Sequence, residues 1–107
     1  KIINQTDLLY KININLGNAL VGTKFTLDHI SGKKINFIID NIFQKNPFVI
    51  PHLGLPDINN NFGKLIIDFE IDYNYKLSKS QKILLEDIFP LKNLVYNQEL
   101  DSVIKID

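Results

Sequence analysis

Apolar and polar residues alternate along much of the chain, with the two-residue period that is typical of strands buried on one face. Four segments follow this pattern, at residues 8–14, 23–29, 34–40 and 63–73. The last is the clearest, because every second residue from Leu65 to Tyr73 is apolar and those between are mostly acidic. Gly32 supplies the positive φ of a predicted hairpin turn between the second and third segments. The pattern therefore predicts strands whose apolar faces form a core.

Two segments depart from the alternation and predict helices. The short one lies between a candidate N-cap at Asn15 and a stop at Gly22. The longer one begins with a capping box formed by Ser78 and Gln81 and stops at Pro90. Its apolar residues crowd one broad face: Ile83, Leu84, Leu85, Ile88 and Phe89. A helix this short is marginal alone in water, so we expect this face to pack against a partner surface.

These elements predict a mostly β fold. We expect a two-layer, antiparallel, β-sandwich-like domain with one short inserted helix and a C-terminal helix. Residues 1–76 would form the β domain, residues 77–90 the terminal helix, and residues 91–107 a tail with apolar stretches of its own. With 107 residues, the chain is long enough for one core but not for two.

Composition narrows the classes of function. Twelve Lys balance twelve Asp and Glu, and no Arg is present, whereas a nucleic-acid binder normally carries a positive excess rich in Arg. No apolar run reaches the length of about eighteen residues that a membrane span requires. The absence of Cys fits a reducing compartment, for which we expect the cytoplasm or the nucleus. Because the chain starts at Lys1 and contains no Met, we expect a piece of a longer protein.

Catalytic and metal sites find little support in the spacing of the candidate residues. His29, which follows Asp28, and His52 lie in separate elements, and with Asp40 they lack the His spacing of a metal site. Ser78 lacks the Gly-x-Ser-x-Gly turn that activates a serine nucleophile. We therefore expect no catalytic residue, no metal and no cofactor, and we do not expect an enzyme.

Six short stretches, taken in order, carry a resemblance to a known family: residues 7–10, 16–22, 31–33, 53–56, 63–65 and 77–82. They are similar to a domain start, a leucine–alanine–leucine–glycine helical segment, an aspartate–glycine turn, the end of a glycine–glycine–proline loop, a glycine–aspartate–leucine strand start and a leucine–serine…glutamine–lysine helix opening. Together they resemble the second C-terminal β domain and dimerisation helix of the DnaJ-type heat-shock co-chaperones. Ser31, His52 and Lys64 depart from the family's usual aspartate, glycine and aspartate, which affects the expected loop geometry.

This resemblance implies a co-chaperone fragment that forms a homodimer and helps to hold unfolded client polypeptide for a heat-shock ATPase partner. The dimer seam would use the apolar helix residues Ile83, Leu84, Leu85, Ile88 and Phe89. In the family the ATPase is stimulated by a J domain with a His-Pro-Asp loop, and that tripeptide does not occur in this sequence. The ATPase would therefore be reached only through domains upstream of this fragment.

Client polypeptide is expected to bind at apolar residues on a sheet edge or between the layers, either in pockets or as an added strand. The candidates are Leu9, Phe48, Val49 and Ile50. The competing interpretations are that these residues belong to the core and that the terminal helix folds back on its own sheet. For the whole chain, the alternative is a monomeric β-sandwich interaction module unrelated to chaperones, and a small hydrolase is a more distant one.

Overall fold

The structure, a computed structural model, describes residues 1–95, 97, 99 and 102–106. Within these residues it contains five strands and two helices. In chain order they are β1 (Leu8–Asn15), α1 (Leu16–Val21), β2 (Thr23–Asp28), β3 (Lys34–Ile39), β4 (Phe48–Ile50), β5 (Leu65–Asp72) and α2 (Lys79–Ile88). The chain divides into two compact units, Lys1–Tyr75 and Lys76–Asp107.

The strands of the first unit form two sheets, which confirms the prediction of a mostly β, sandwich-like fold. One sheet has three strands in the order β1-β5-β4, and the other is the β2-β3 hairpin. The predicted antiparallel arrangement holds for β4 with β5 and for β2 with β3, but it is wrong for β1 and β5, which run parallel. The long connection between β1 and β5 permits this pairing, which a tight hairpin cannot make.

The β2-β3 hairpin confirms the predicted strands and turn. Gly32 has a φ of 89°, as the turn requires. Leu27 lies opposite Ile35, and Phe25 lies opposite Phe37 with the two rings stacked at 5.2 Å between centroids. Cross-strand aromatic pairs of this kind stabilise a sheet by about 0.2–1 kcal/mol each.

The core of the first unit draws on both sheets and on the segment that links them. Its buried members are Leu8, Leu27, Ile42, Leu65, Ile67 and Phe69. The ring of Phe69 contacts Phe25 of the second sheet edge-on, at 5.7 Å between centroids. The inward residues of β1 and β5 are those that the alternation predicted. Ile42 was not predicted, because it lies in an irregular segment without a period.

Both helices begin with a capping box. The Asn15 side chain accepts from the Asn18 backbone N–H at the start of α1. In α2 the Ser78 Oγ accepts from the Gln81 N–H at 3.2 Å, while the Gln81 side chain accepts from the Ser78 N–H at 2.8 Å. These bonds satisfy donors that the first helical turn leaves unpaired. The helix ends at Ile88, so it is shorter than the predicted 77–90 segment.

Candidate functional site

One face of the three-stranded sheet carries a short apolar row. Leu9 of β1 and Val49 of β4 are both paired with Ile66 of β5, one on each side. Side chains alternate between the two faces of a sheet. Since Leu8 and Leu65 are buried in the core, their neighbours Leu9 and Ile66 point away from it. We call Leu9, Ile66 and Val49 the outer row.

The structure separates the four residues predicted to bind client polypeptide. Leu9 and Val49 lie in the outer row, and Val49 is 54% exposed. Phe48 and Ile50 face the other way and pack against the core. The Phe48 ring meets the Phe69 ring edge-on at 5.9 Å. The two inward residues thus hold β4 in place, while Val49 is presented on the outer face.

Ile66 completes the outer row and was missed as a site residue in the sequence. The signal was present in the alternation of β5, where Ile66 occupies the same face as Asp68, Glu70 and Asp72. An apolar residue among outward acidic positions is a candidate for an exposed contact. Leu9 and Val49 can be recognised as the neighbours of Ile66 only once the strand register is known.

The same face becomes acidic along β5, where Asp68, Glu70 and Asp72 follow Ile66 at every second position. We call these three residues the acidic stripe. Lys11 lies opposite Asp68, and its Nζ is 3.9 Å from the Glu70 Oε1. Both side chains of this ion pair are more than half exposed, so solvent screens it and it adds little stability.

The start of β1 is paired with the first residues of the chain. The Lys1 amino group donates to the Leu9 carbonyl oxygen at 2.9 Å, and the Leu9 N–H donates to the Lys1 carbonyl oxygen at 2.6 Å. The Ile3 N–H donates to the Asp7 carbonyl oxygen at 3.1 Å. The sheet edge beside Leu9 is therefore occupied, which leaves the face of the sheet as the accessible surface there.

On the side of β5 that faces away from β1, β4 pairs with only part of the strand. Past the end of β4, one amide side chain occupies this edge. Asn46 Oδ1 accepts from the Phe69 N–H, and Asn46 Nδ2 donates to the Phe69 carbonyl oxygen, both at 2.9 Å. The side chain thus occupies the two backbone groups that another strand would use. Strand addition at this position of β5 is blocked.

Three stretches of backbone, at Thr6, Gly54 and Gly63, meet beside the start of β1. We call this meeting point the glycine crossing. The Gly54 N–H donates to the Gly63 carbonyl oxygen at 2.9 Å, and the Leu55 N–H donates to the Thr6 carbonyl oxygen at 2.7 Å. A β-carbon on either glycine would overlap the Thr6 carbonyl oxygen. The glycines of residues 53–56 and 63–65, which carried part of the family resemblance, are thus required by close packing.

The Asp7 carboxylate stabilises the glycine crossing through two hydrogen bonds. Its Oδ1 accepts from the Lys64 N–H and its Oδ2 accepts from the Asn4 side chain, each at 2.8 Å. The bond from Lys64 and then the bond from Asn4 hold the pKa of the Asp7 carboxyl below its ordinary value. The Asp7 carboxylate therefore stabilises the local backbone structure.

His29 ties the hairpin turn to a neighbouring loop. Its Nδ1 accepts from the Ser31 backbone N–H at 3.1 Å, so the proton resides on Nε2, which donates to the Leu53 carbonyl oxygen at 2.7 Å. Both ring nitrogens are thus engaged. In the described part of the chain, no three His, Asp or Glu side chains are grouped so that they could hold a metal ion.

The predicted dimer residues lie on α2 and at its C-cap. Leu84, Leu85 and Ile88 fall within an arc of about 100° at 3.6 residues per turn, flanked by Ile83 and Phe89. We call these five residues the α2 apolar face. None of the residues of α2, all of which are described, is buried. Leu84 and Ile88 are 62% and 64% exposed.

The first residue after Pro90 lies near part of this face. Leu91 and Leu85 line one shallow depression together with Lys82 and Glu86. Leu85 is accordingly less exposed than Leu84. Leu85 of the α2 apolar face therefore has an apolar neighbour within its own unit.

A family model described as the DnaJ C terminal domain matches residues 2–74. The chain belongs to the DnaJ C-terminal domain family. The matched region of this DnaJ C-terminal domain contains both sheets, the outer row and the glycine crossing. Within the described residues, no helix is both long and apolar enough to cross a membrane.

Curated relatives agree with this DnaJ assignment. The chain is 32% identical to "DnaJ protein homolog 1" of Allium porrum over 90 residues, covering 78% of this chain and 22% of that protein. It is 32% identical to "DnaJ protein homolog ANJ1" of Atriplex nummularia over 104 residues, covering 90% of this chain and 25% of that protein. The chain thus spans about a quarter of their length. Because the Atriplex match leaves out only about a tenth of the chain, it includes α2.

Proposed function

We propose that this chain is the dimerising, client-holding piece of a DnaJ-type co-chaperone. It joins two protomers through α2 and presents an apolar sheet face to unfolded polypeptide. Contact with the heat-shock ATPase belongs to other parts of such a protein, and the piece itself performs no catalysis. The observation that carries the proposal is the outer row, which a member of this family displays on the sheet face that points away from its core.

The α2 apolar face supports homodimerisation. Full burial of a Leu or Ile side chain contributes about 1.5–3 kcal/mol, and Leu84 and Ile88 retain more than half of their exposure. A two-fold seam uses each of these contacts twice. The total is of the same order as the roughly 4–15 kcal/mol that association costs. We therefore expect a dimer of modest affinity that depends on the centre of this face.

The outer row supports client holding. Adjacent strands are about 4.8 Å apart, so three apolar side chains in register make a strip about 10 Å wide. Such a strip accommodates a few apolar side chains of an extended segment. A dimer would carry two such strips. A client bound to one strip would then meet the other at a raised effective concentration.

An NMR titration of the chain with an unfolded apolar peptide tests this function. We expect chemical-shift changes at Leu9, Ile66 and Val49, with saturation as peptide is added. Ile38 is a matched control, because it is an exposed β-branched residue on the other sheet and should not shift. Shifts spread evenly over the surface, or none in the outer row, would contradict the proposal.

A monomeric β-sandwich interaction module is the second candidate. It is favoured by the depression that Leu85 and Leu91 line together, because this depression brings the first residue after Pro90 beside the α2 apolar face. In that case the tail, rather than a second copy, would shield the helix. The absence of Cys is compatible with a reducing compartment for either function.

A further inference from the structure

We propose that the outer face of the three-stranded sheet selects client segments in which an apolar cluster is followed by Lys or Arg residues. The inference rests on the proposed client-holding function and names the kind of segment that is held. The outer row receives the apolar cluster, and the acidic stripe receives the basic residues.

The two halves of this surface are continuous along β5. Ile66 and the three acidic residues share one face at every second position, which spaces their side chains about 7 Å apart. An extended client strand has the same spacing between alternate side chains. A segment that runs along β5 with an apolar residue over Ile66 thus carries its next alternate residues over Asp68 and then Glu70.

The charge on this face is largely uncompensated by the neighbouring strand. Glu70 lies opposite Asn13, and Asp72 lies opposite Asn15, so two of the three carboxylates have neutral partners in register. Lys11 is the cation of β1, and its 3.9 Å ion pair with Glu70 is exposed to solvent. A cationic segment gains attraction here, while an acidic one is repelled.

The outer face of the β2-β3 hairpin has a different character. Asp28 is the one carboxylate of these two strands, and it shares this face with two cations, Lys24 and Lys34, the latter 3.8 Å away. The Thr26 hydroxyl donates to Asn36 Oδ1, and Ile38 stands opposite Lys24. This face therefore offers neither an apolar row nor an excess of negative charge, and it provides matched control positions.

Three peptides with one shared apolar core and different flanks test the inference. After the core, alternate positions carry Lys, Gln or Glu, and binding to the full 107-residue chain is followed by fluorescence anisotropy. The Lys peptide should bind about threefold to tenfold more tightly than the Gln peptide, as expected for two exposed charge contacts. The Glu peptide should bind most weakly, and added salt should reduce the differences.

Two charge-matched variants locate the effect. Glu70→Gln with Asp72→Asn changes only exposed side chains and should reduce the preference for the Lys peptide, with Asp68 as the one carboxylate of the stripe that remains. Asp28→Asn with Asp40→Asn removes the same charge elsewhere and should retain the preference. Equal affinity for all three peptides, or a preference that is undiminished in the first variant, would overturn this inference and leave client holding intact. Failure of every peptide to bind would overturn both.

Discussion

At the scale of single residues, the first unit depends on positions where a side chain would not fit. Gly54 and Gly63 let their segments approach the Thr6 carbonyl oxygen, and Asp7 holds the same crossing with its carboxylate. The crossing anchors the starts of β1 and β5, and these two strands carry most of the outer row. We expect substitutions at the glycine crossing to reduce the stability of the fold, and to weaken client binding only through that loss of stability.

Gly63→Ala tests the close approach directly. The added methyl group would overlap backbone atoms of Thr6, which cannot yield as a flexible side chain can. We expect a loss of roughly 2–4 kcal/mol in the free energy of unfolding, measured by urea denaturation. Gly17→Ala is the control, because its β-carbon would meet only the Asn15 side chain, and it should change stability by less than about 1 kcal/mol. Equal effects of the two substitutions would refute the role of the crossing.

At the scale of elements, local pattern indicated both helices and four of the five strands in the described residues; it missed β4, because three residues in an irregular segment show no period. Alternation predicted β1 and β5 and their buried faces, and the candidate N-cap at Asn15 and the capping box at Ser78 marked where the two helices begin. Alternation does not encode strand direction, so the parallel pairing of β1 with β5 could not be predicted from it. It also could not place Leu9 and Val49 beside Ile66, because that depends on register between strands distant in sequence.

Ser78→Ala tests the capping box of α2. Loss of the hydroxyl removes the hydrogen bond that Ser78 Oγ accepts from the Gln81 N–H, and substitutions of this kind destabilise a helix by about 1 kcal/mol. Amide hydrogen exchange in the first turn of α2 should accelerate about fivefold. Ser80→Ala alters a neighbouring hydroxyl that does not cap the Gln81 N–H and should leave exchange nearly unchanged. Similar acceleration in both variants would argue against the cap.

At the scale of the whole molecule, we propose that the first unit holds client polypeptide and that α2 of the second unit joins two copies. The family match covers residues 2–74, which include the outer row. The Leu84 and Ile88 side chains of the α2 apolar face are more than half exposed. The sequence pattern alone left open whether this face folds back on the sheet or forms a dimer. The physical question is whether a second copy or the tail after Pro90 shields Leu84 and Ile88.

Sedimentation equilibrium of the 107-residue chain, with a variant at the centre of the α2 apolar face, tests the account most directly. We predict a concentration-dependent dimer for the unaltered chain. Leu84→Asp should weaken it by more than about 100-fold, since the substitution enters the seam twice. Lys79→Asp adds the same carboxylate about 140° away in the first turn, where the helix dipole tolerates it, and should leave the dimer intact. An unaltered chain that stays monomeric at high concentration, or a Leu84→Asp dimer of unchanged affinity, would contradict the account.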